Sequence, residues 1–465
     1  MAVASAYPNY RDSGLPWVGE IPAHWQTRRN RFLFREVDRR SLHGEETHLS
    51  MSQVHGLVPS KHLNRKSLQS ENYAGGKLVE ESDLVLNRLK AHLGVFARAK
   101  QAGVVSPDYT VLRPKGEASV RYCELLFKTP MYVGEFRRRT KGIVEGFWRL
   151  YTDDFYNVSA LLPPQEEQDQ IVAYLRAQDA HIARFIKAKR DLIKLLTEQK
   201  LRIIDHAVTR GLDAAVALKP SGIEWLGQVP EHWEVKPLKR WVRLNARTLG
   251  QKTNPDFEFR YVDIGSVQTG RLAKELERIR FEAAPSRARR VLRRGDTIIS
   301  TVRTYLKAIW YVSEDTDDLI ASTGFAVLTP GKSVEPEYLG YVIQSSAFVN
   351  RVAANSIGIA YPAIAETVLG RFPVALPPTV EEQQAIVAHI KTESAPLDEA
   401  ITRAEDEIKL IREYRDRLIF DAVTGQVDVR GWQPGPDDVV SDDDLAALGE
   451  DEAEPAEEDA DGEEN

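Results

Sequence analysis

The chain contains two copies of one unit, and this duplication constrains its fold more than any other feature. Residues 13–25 (SGLPWVGEIPAHW) and 221–233 (SGIEWLGQVPEHW) are identical at seven of 13 positions. A second pair follows in the same order, with 161–173 (LLPPQEEQDQIVA) matching 375–388 (ALPPTVEEQQAIVA). The period of roughly 208 to 216 residues is far longer than that of a solenoid repeat. We therefore expect two homologous domains.

Composition restricts the class of protein further. The 465 residues are 42% hydrophobic and 28% charged, which is typical of globular domains. The single cysteine, Cys123, excludes an internal disulfide and any zinc site of the CxxC type. No apolar run approaches the ~18 residues of a membrane span, and the N-terminus lacks the basic and apolar regions of a signal peptide. We expect a cytoplasmic protein without membrane contact.

Each repeat divides into a mixed globular part and a long helical part. Residues 1–160 and 213–376 combine β-like runs with glycine- and proline-containing turns, which predicts an α+β domain in each. The runs predicted as strands are Asp83–Leu86, Asp296–Ile299 and Phe325–Leu328. The fold class expected is thus α+β with a duplicated unit, and the equivalent ends of the two repeats imply a circular, pseudo-two-fold arrangement.

Residues 161–212 and 377–431 are predicted to form one long helix each. Glu and Gln follow a double proline in both, as at a helix start. Heptad spacing recurs in both helices. In the first helix, one seam is Ile171, Gln178, Phe185, Leu192 and Gln199, and the other is Leu175, Ile182, Leu196 and Ile203, interrupted by Lys189. In the second helix, the seam is Ile390, Leu397, Ala404, Ile411 and Leu418. This spacing favours a coiled coil between the helices. Alternatively, each stripe packs only on its own globular domain, and Pro396 is expected to kink or break the second helix.

The charge is unevenly distributed along the chain. Of 69 acidic residues, 15 lie in residues 437–465, which contain no Lys or Arg, so residues 1–436 hold 54 acidic and 62 basic residues. Residues 432–465 are predicted to be an acidic disordered tail, because they carry almost no large apolar side chains. A basic body with an acidic appendage is one pattern of nucleic-acid-binding proteins.

Signatures of catalysis are missing from the sequence. It has no GxxxxGK[ST] phosphate loop, no HExxH zinc motif, no GxSxG elbow and no Asn/Asp-Pro-Pro-aromatic signature of adenine methyltransferases. Asp256 and Glu258 are too close in sequence for a metal-binding pair on adjacent strands. We therefore predict no catalytic residues and no metal site in this chain.

The repeated aromatic residues allow two interpretations. Trp25 and Trp233, each preceded by a histidine, could stack on a cofactor or a base. We favour packing instead, because histidine beside a buried tryptophan is usually a hydrogen-bonded structural residue, and glycine- and proline-rich turns bring such aromatics together to cap a core.

Basic clusters in both globular parts predict contact with nucleic acid. Isolated basic runs usually form solvated surfaces, but here they recur in both repeats, with aromatic residues nearby. Arg, Asn and Lys at strand ends are also the residue types that reach base edges in a major groove. The candidate DNA-binding residues are Asn87, Arg88, Lys90, Arg137, Arg138, Arg139, Lys141, Arg289, Arg290, Arg303, Tyr305 and Lys307.

With its repeated W-x-G-x-x-P-x-H-W and PP…EEQ…IVA motifs, the sequence resembles the specificity subunits of type I restriction-modification enzymes over about residues 13–430. The resemblance implies two target-recognition domains separated by two long antiparallel helices. It implies that each domain binds one half of a bipartite site in double-stranded DNA, and that the helices set the spacer. The acidic tail lies outside the pattern.

The same resemblance implies a non-catalytic subunit with enzymatic partners. Two methyltransferase subunits would supply S-adenosylmethionine chemistry, and restriction subunits, in complexes that contain them, would supply ATP- and magnesium-dependent translocation and cleavage. No cofactor is expected on this chain. Three alternatives remain open at this stage: a stand-alone DNA-binding regulator, a coiled-coil scaffold protein and a nuclease.

Overall fold

The chain forms two compact units. The computed structural model describes residues 6–52, 56–62, 73–116, 118–142, 148–359, 361–438, 440–441, 445 and 448. Unit 1 comprises residues 1–191 together with 405–465, and unit 2 comprises residues 192–404. Each long helix is therefore shared between the units, and unit 1 contains segments from both ends of the sequence. The domains expected from the sequence are consecutive segments, whereas each unit combines a globular part with parts of both long helices.

Unit 1 contains a mixed globular domain and the first half of a long helix. Its strands are β1 (Tyr10–Asp12), β2 (Glu20–Pro22), β3 (Gln26–Arg29), β4 (Phe34–Glu36), β5 (Leu49–Ser52), β6 (Gly56–Pro59), β7 (Lys77–Val79), β8 (Leu84–Asn87), β9 (Phe96–Arg98), β10 (Gly103–Val105), β11 (Tyr109–Pro114) and β12 (Ser159–Leu162). Its helices are α1 (Asn30–Leu33), α2 (Val120–Phe127), α3 (Pro130–Arg139), α4 (Thr152–Tyr156) and the start of α5 (Gln165–Arg210).

Unit 2 repeats this order of elements. Its strands are β13 (Leu218–Pro220), β14 (Gln228–Pro230), β15 (Glu234–Pro237), β16 (Val242–Leu244), β17 (Glu258–Val262), β18 (Val267–Gln268), β19 (Arg271–Leu272), β20 (Arg278–Arg280), β21 (Ala288–Val291), β22 (Thr297–Ser300), β23 (Ile309–Tyr311), β24 (Leu319–Ser322), β25 (Phe325–Pro330) and β26 (Pro373–Leu376). Its helices are α6 (Pro336–Gln344), α7 (Ser346–Ala354), α8 (Glu366–Leu369) and the first part of α9 (Val380–Val423).

Each unit contains its own antiparallel four-stranded sheet, and because the topology is the same in both, this sheet is named the shared sheet. Its strand order is β4-β11-β8-β9 in unit 1 and β16-β25-β22-β23 in unit 2. Smaller pairs also correspond, with β1-β2 and β3-β12 matching β13-β14 and β15-β26. The predicted strands at Asp83–Leu86, Asp296–Ile299 and Phe325–Leu328 are confirmed as β8, β22 and β25. The duplication in sequence is therefore a duplication of fold.

The units differ in the strands outside the shared sheet. Unit 2 has a second four-stranded sheet, in the order β20-β17-β24-β21, with β17 and β24 parallel. Unit 1 has the two-stranded pairs β5-β6 and β7-β10 in its corresponding region. The repeats have thus diverged beside the shared sheet.

The long helices α5 and α9 pair in antiparallel fashion. In unit 1, Arg415 Nε lies 2.6 Å from Asp179 Oδ1, and Lys189 forms an ion pair with Glu407. In unit 2, Lys200 Nζ lies 2.6 Å from Asp398 Oδ1. Residue numbers in α9 fall as those in α5 rise, which confirms the antiparallel pairing. The break expected at Pro396 is wrong, because α9 is continuous through it from Val380 to Val423.

The contact face of α5 follows one of its two predicted heptad seams. Leu175 and Ile182 of that seam are buried, and Leu196 and Ile203 are half-buried. In the other seam, Phe185 is 37% exposed and Leu192 is 40% exposed, so the predicted places of these two residues in the helix contact are wrong.

A glutamate at the start of each long helix, buried in unit 1 and partly exposed in unit 2, binds the repeated tryptophan motif. Trp25 Nε1 donates to Glu167 Oε1 at 2.9 Å in unit 1, and Trp233 Nε1 donates to Glu382 Oε1 at 2.9 Å in unit 2. The histidines before them contact the same carboxylates, at 2.7 Å for His24 and 3.0 Å for His232. The interpretation of these aromatics as packing residues is confirmed.

Both ends of the sequence contribute to the core of unit 1. Leu418, Ala422 and Val423 of α9 pack in one cluster with the core of the globular domain. Gly425 ends the helix at φ +78°, and a Cβ on it would lie 2.4 Å from Pro22 Cδ, so this close approach requires glycine. The globular domain of unit 1 is therefore completed by the last helix of the chain.

The first residues of the acidic tail pack on α5. The ring of Trp432 lies edge-on to Tyr174 with centroids 5.6 Å apart, and His181 Nε2 is 2.7 Å from Asp438 Oδ1. Residues 432–438 therefore belong to unit 1 rather than to a disordered tail, because Trp432 supplies an apolar anchor. Most of the tail from 439 onward lies outside the described residues. Among the helices of the described residues, none combines the length and apolarity needed to cross a membrane.

Candidate nucleic-acid interface

A buried aspartate fixes the central strand of each shared sheet. In unit 1, Arg113 Nε donates to Asp83 Oδ1 at 2.9 Å, and in unit 2, Arg247 donates to Asp296 Oδ2 at 2.5 Å. The hydrogen bonds that Arg113 donates to Asp83 raise the pKa of Arg113, so its guanidinium stays charged. Because β8 and β22 are held in the same way, the loops that follow them leave equivalent places in the two sheets.

The loop after β8 carries the first three candidate residues. Asn87 is buried, and its side chain accepts backbone N–H bonds from Leu89 and Lys90 at 3.1 and 3.3 Å. Arg88 is partly exposed, and its Nε donates to the carbonyl of Asp108 at 2.7 Å. Asn87 thus shapes the loop as a helix cap, and Arg88 is oriented by the chain itself. A DNA contact by Asn87, Arg88 or Lys90 stays a prediction.

The cluster at the end of α3 is largely engaged in internal ion pairs. Arg138 and Arg139 both bind Glu135, at 2.5 and 2.7 Å. The sequence carried this signal, because Glu135 precedes them by three and four residues on one helix face. Lys141 lies 2.8 Å from Asp154 Oδ2. Arg137 is exposed, and its guanidinium lies 5.8 Å from the centroid of the Trp148 ring. A DNA contact by any residue of this cluster stays a prediction.

The loop after β22 presents an exposed group in unit 2. Arg303 and Lys307 both adopt left-handed backbone conformations, at φ +51° and +50°. Tyr305 is 58% exposed, and the guanidinium of Arg303 lies 5.2 Å from the ring centroid of Tyr361. Lys307 also lines a cavity of about 520 Å³ between this loop and the long helices. The structure places Arg303, Tyr305 and Lys307 together in one exposed loop, and their contact with DNA stays a prediction.

Arg289 and Arg290 lie away from that loop, on β21. The guanidinium of Arg289 lies 4.8 Å from the ring centroid of Phe281. Arg290 donates to Glu366 Oε1 at 2.8 Å and is mostly buried. Arg290 thus contributes to the packing between β21 and α8, and its predicted DNA contact would require breaking an ion pair.

A hairpin beside the β22 loop was not among the sequence candidates. It is closed by paired backbone bonds between Ile357 and Ala363, at 2.8 and 2.9 Å, and it follows α7. Ile357 and Ile359 are exposed and Tyr361 is 54% exposed. The sequence signal was an Ile-Gly-Ile run outside any strand or helix pattern. These side chains are apolar, whereas the candidates chosen from the sequence were basic or polar residues.

The second half of the chain matches a known domain family. Residues 230–410 match the model of the type I restriction modification DNA specificity domain. No match was found among curated proteins.

Solved structures resemble the chain over most of its length. A chain from a study of complex assembly and conformational transition of the type I R-M system has a TM-score of 0.56 and 15% identity, covering 88% of this chain and 99% of that one. The HsdS subunit from Thermoanaerobacter tengcongensis has a TM-score of 0.38 and 17% identity, covering 88% and 98%. The S subunit of a type-I restriction-modification system from M. genitalium has a TM-score of 0.33 and 11% identity, covering 87% and 96%.

These findings define a class of protein: unit 2 carries a DNA specificity domain, and unit 1 repeats its central sheet and its connection to a long helix. Residues 230–410 are thus similar to the type I restriction modification DNA specificity domain, and the fold of the chain is similar to that of a chain from a type I R-M system.

Proposed function

We propose that this chain is a specificity subunit that binds a bipartite DNA target, with each globular domain binding one half-site. The observation that supports the proposal is that both units contain the same four-stranded sheet, the same loop after its central strand, and a long helix whose first turn is hydrogen-bonded to a tryptophan. Arg88 lies in the loop of unit 1 and Arg303 in the loop of unit 2. Two equivalent loops on two domains of one chain suit a target with two separated half-sites.

The strand-end residues would contact bases, and the cations around them would contact phosphates. A side chain that projects from a rigid strand end can reach base edges in the major groove, whereas surrounding cations fix the register on phosphates. Arg303 and Tyr305 are both exposed. Among the described residues, the guanidinium of Arg303 forms no ion pair with a carboxylate. Arg303 is therefore the strongest candidate for base contact in unit 2.

The long helices would bind the enzymatic partners. Apolar side chains are exposed along their middle portions: Phe185, Leu192, Leu195, Leu410 and Tyr414. Exposed apolar residues on a helix favour protein–protein contact, and both units carry some of them, with Phe185, Leu410 and Tyr414 in unit 1 and Leu192 and Leu195 in unit 2. We propose that two methyltransferase subunits bind there, one for each half-site, and that restriction subunits join complexes that cleave.

In this proposal all cofactors belong to the partners. S-adenosylmethionine would bind the methyltransferase subunits, and ATP and magnesium the restriction subunits. An adenine inside a duplex must leave the base stack before it can be methylated, so the subunit that binds the target sets where this occurs. Because the target is the cell's own DNA and incoming DNA, the complex would act in the cytoplasm.

Affinity purification from the native cell tests the proposal. We expect a methyltransferase to co-purify and the complex to methylate adenines at a bipartite site, which sequencing of modified bases identifies. The chain without partners is expected to show no turnover with S-adenosylmethionine, or with magnesium and ATP. Methylation or cleavage by the partner-free chain would contradict the proposal, and tight sequence-specific binding without any partner would favour a stand-alone regulator.

Replacing Arg303 with alanine is expected to weaken DNA binding by about 1–3 kcal/mol and to relax specificity in one half-site only. The stability of the protein should not change, because the side chain is exposed. Binding of the complex to a library of targets measures both effects. Arg88→Ala should relax the other half-site, and Arg417→Ala, an exposed change on α9, serves as the control. Equal weakening on every sequence would assign Arg303 to phosphate contact.

A further inference from the structure

The hairpin of unit 2 that spans residues 357–363 exposes an unusual apolar surface. Ile357 is 84% exposed, and Ile359 is fully exposed. Tyr361 and Tyr305 of the neighbouring β22 loop are each more than half exposed. Ala360 lies outside the described residues. Large apolar side chains grouped on an exposed surface commonly belong to a binding surface.

The base of the hairpin is held firmly against the strand-end loop. Ile364 N donates to the carbonyl of Thr301 at 2.8 Å, and Thr304 Oγ1 lies 2.8 Å from Ser356 Oγ. Gly358 has φ +117°, and a Cβ there would lie 3.0 Å from the Tyr361 carbonyl oxygen, so only glycine allows this close turn. The exposed isoleucines therefore project from a fixed support.

Positive charge flanks the apolar side chains. The guanidinium of Arg303 lies over the Tyr361 ring, and Lys307 is exposed on the same loop. An apolar projection flanked by cations is complementary to DNA, because the cations bind phosphates while the apolar side chain enters between bases. A protein partner would match the isoleucines equally well but would have no general requirement for the flanking cations.

The connection recurs in unit 1. Lys141 and Arg149 form a matching pair of backbone bonds, at 3.0 and 2.9 Å, after α3. Leu150 N then donates to the carbonyl of Arg88 at 3.1 Å, as Ile364 does to Thr301. Trp148 lies beside Arg137 in that segment. The intervening residues 143–147 lie outside the described part. A pair of backbone bonds beside the strand-end loop thus occurs in both repeats.

We propose that Ile357 and Ile359 form a wedge that enters the DNA of the second half-site and unstacks a base step. This inference rests on the proposed function. Proteins that insert isoleucine or leucine between base steps unstack them partly and kink the duplex, at a cost that other contacts must offset. Unstacking by the specificity subunit would lower the free energy needed to extrude a base from the same half-site.

The test places 2-aminopurine, a base whose fluorescence rises when it is unstacked, at successive steps of the half-site that Arg303→Ala relaxes. The complex with its methyltransferase is used, on the target identified by methylation sequencing. We expect the wild-type complex to raise the fluorescence at one step, and the double variant Ile357→Ser/Ile359→Ser to lose that rise. Ile359→Leu should retain it, because leucine keeps the apolar volume.

A matched control is Leu42→Ser in unit 1, which removes a similarly exposed apolar side chain. It should leave the second half-site signal unchanged. All variants should keep the wild-type melting temperature, since the replaced side chains are exposed.

The possible results separate the wedge from the proposed function. A wild-type complex that neither binds nor methylates a bipartite site would refute the proposed function itself. If that complex methylates its site but no step gains fluorescence, or the double variant keeps the full rise, the wedge is refuted. Loss of methyltransferase co-purification in the double variant would make this hairpin a protein-docking surface, which also overturns the wedge.

Discussion

Replacing Glu167 with alanine is expected to lower the free energy of unfolding by about 3 kcal/mol, because two buried donors lose their acceptor at a typical cost of about 1–3 kcal/mol each. Glu167 is buried and accepts from Tyr7 Oη at 2.6 Å as well as from Trp25 Nε1 at 2.9 Å. Burial, with the hydrogen bond to Glu167, raises the pKa of Tyr7, so its hydroxyl remains a donor at neutral pH. Urea unfolding followed by tryptophan fluorescence measures the loss.

Two variants serve as controls for this effect. Glu166→Ala removes an exposed carboxylate from the same helical turn and should change the free energy of unfolding by less than about 0.5 kcal/mol. Glu382→Ala, the equivalent change in unit 2, should cost less than Glu167→Ala, because Glu382 is more exposed and has no partner equivalent to Tyr7 among its described contacts. Equal stability of the Glu166 and Glu167 variants would contradict the role given to Glu167.

Inserting seven residues into both long helices is expected to lengthen the unread spacer of the DNA target by about three base pairs. Seven helical residues add about 10 Å, and base pairs are about 3.4 Å apart. The ion pairs Lys189–Glu407 and Lys200–Asp398 place Leu192 opposite the region of Ala404. The insertions therefore belong after Leu192 and after Ala404. Sequencing of methylated sites measures the new spacer.

An insertion in only one helix is the control for this prediction. It shifts every pair beyond the insertion by seven residues, so Lys200 and Asp398 could no longer meet, and we expect loss of methylation at all sites. An unchanged spacer in the doubly extended variant would show that the helices do not determine the distance between half-sites.

The duplication made the shared elements predictable from the sequence. A motif that occurs twice, such as Trp25 and Trp233, had to occupy equivalent places, and the Glu and Gln after each double proline marked both helix starts. Helix and strand periodicity then located β8, β22 and the long helices. The same evidence could not supply the second sheet of unit 2, because β17 pairs with β24 across some 60 residues that have no counterpart motif in unit 1.

The candidate DNA-binding residues were predictable in part. Residue type and position after a strand identified Arg303 and Tyr305, which the structure exposes. Residue type alone could not show that Arg290 is bound by Glu366, since the two are 76 residues apart. The exposed isoleucines 357 and 359 were missed for the opposite reason: apolar residues are normally assigned to a core, and only the fold shows that these project outward.

Synthesis of the chain imposes an order on its folding. Unit 2 is one continuous segment, so it has all its residues once Ala404 has been made. The core of unit 1 instead waits for Leu418 and Val423, and Tyr122 Oη donates to the carbonyl of Val423 at 3.0 Å. At about 5–20 residues per second, the roughly 240 residues from Leu175 to Leu418 take on the order of 12–50 s to translate. The part made first is therefore completed last, and a ribosome that stops early leaves the apolar interior of the N-terminal domain open to chaperones and proteases.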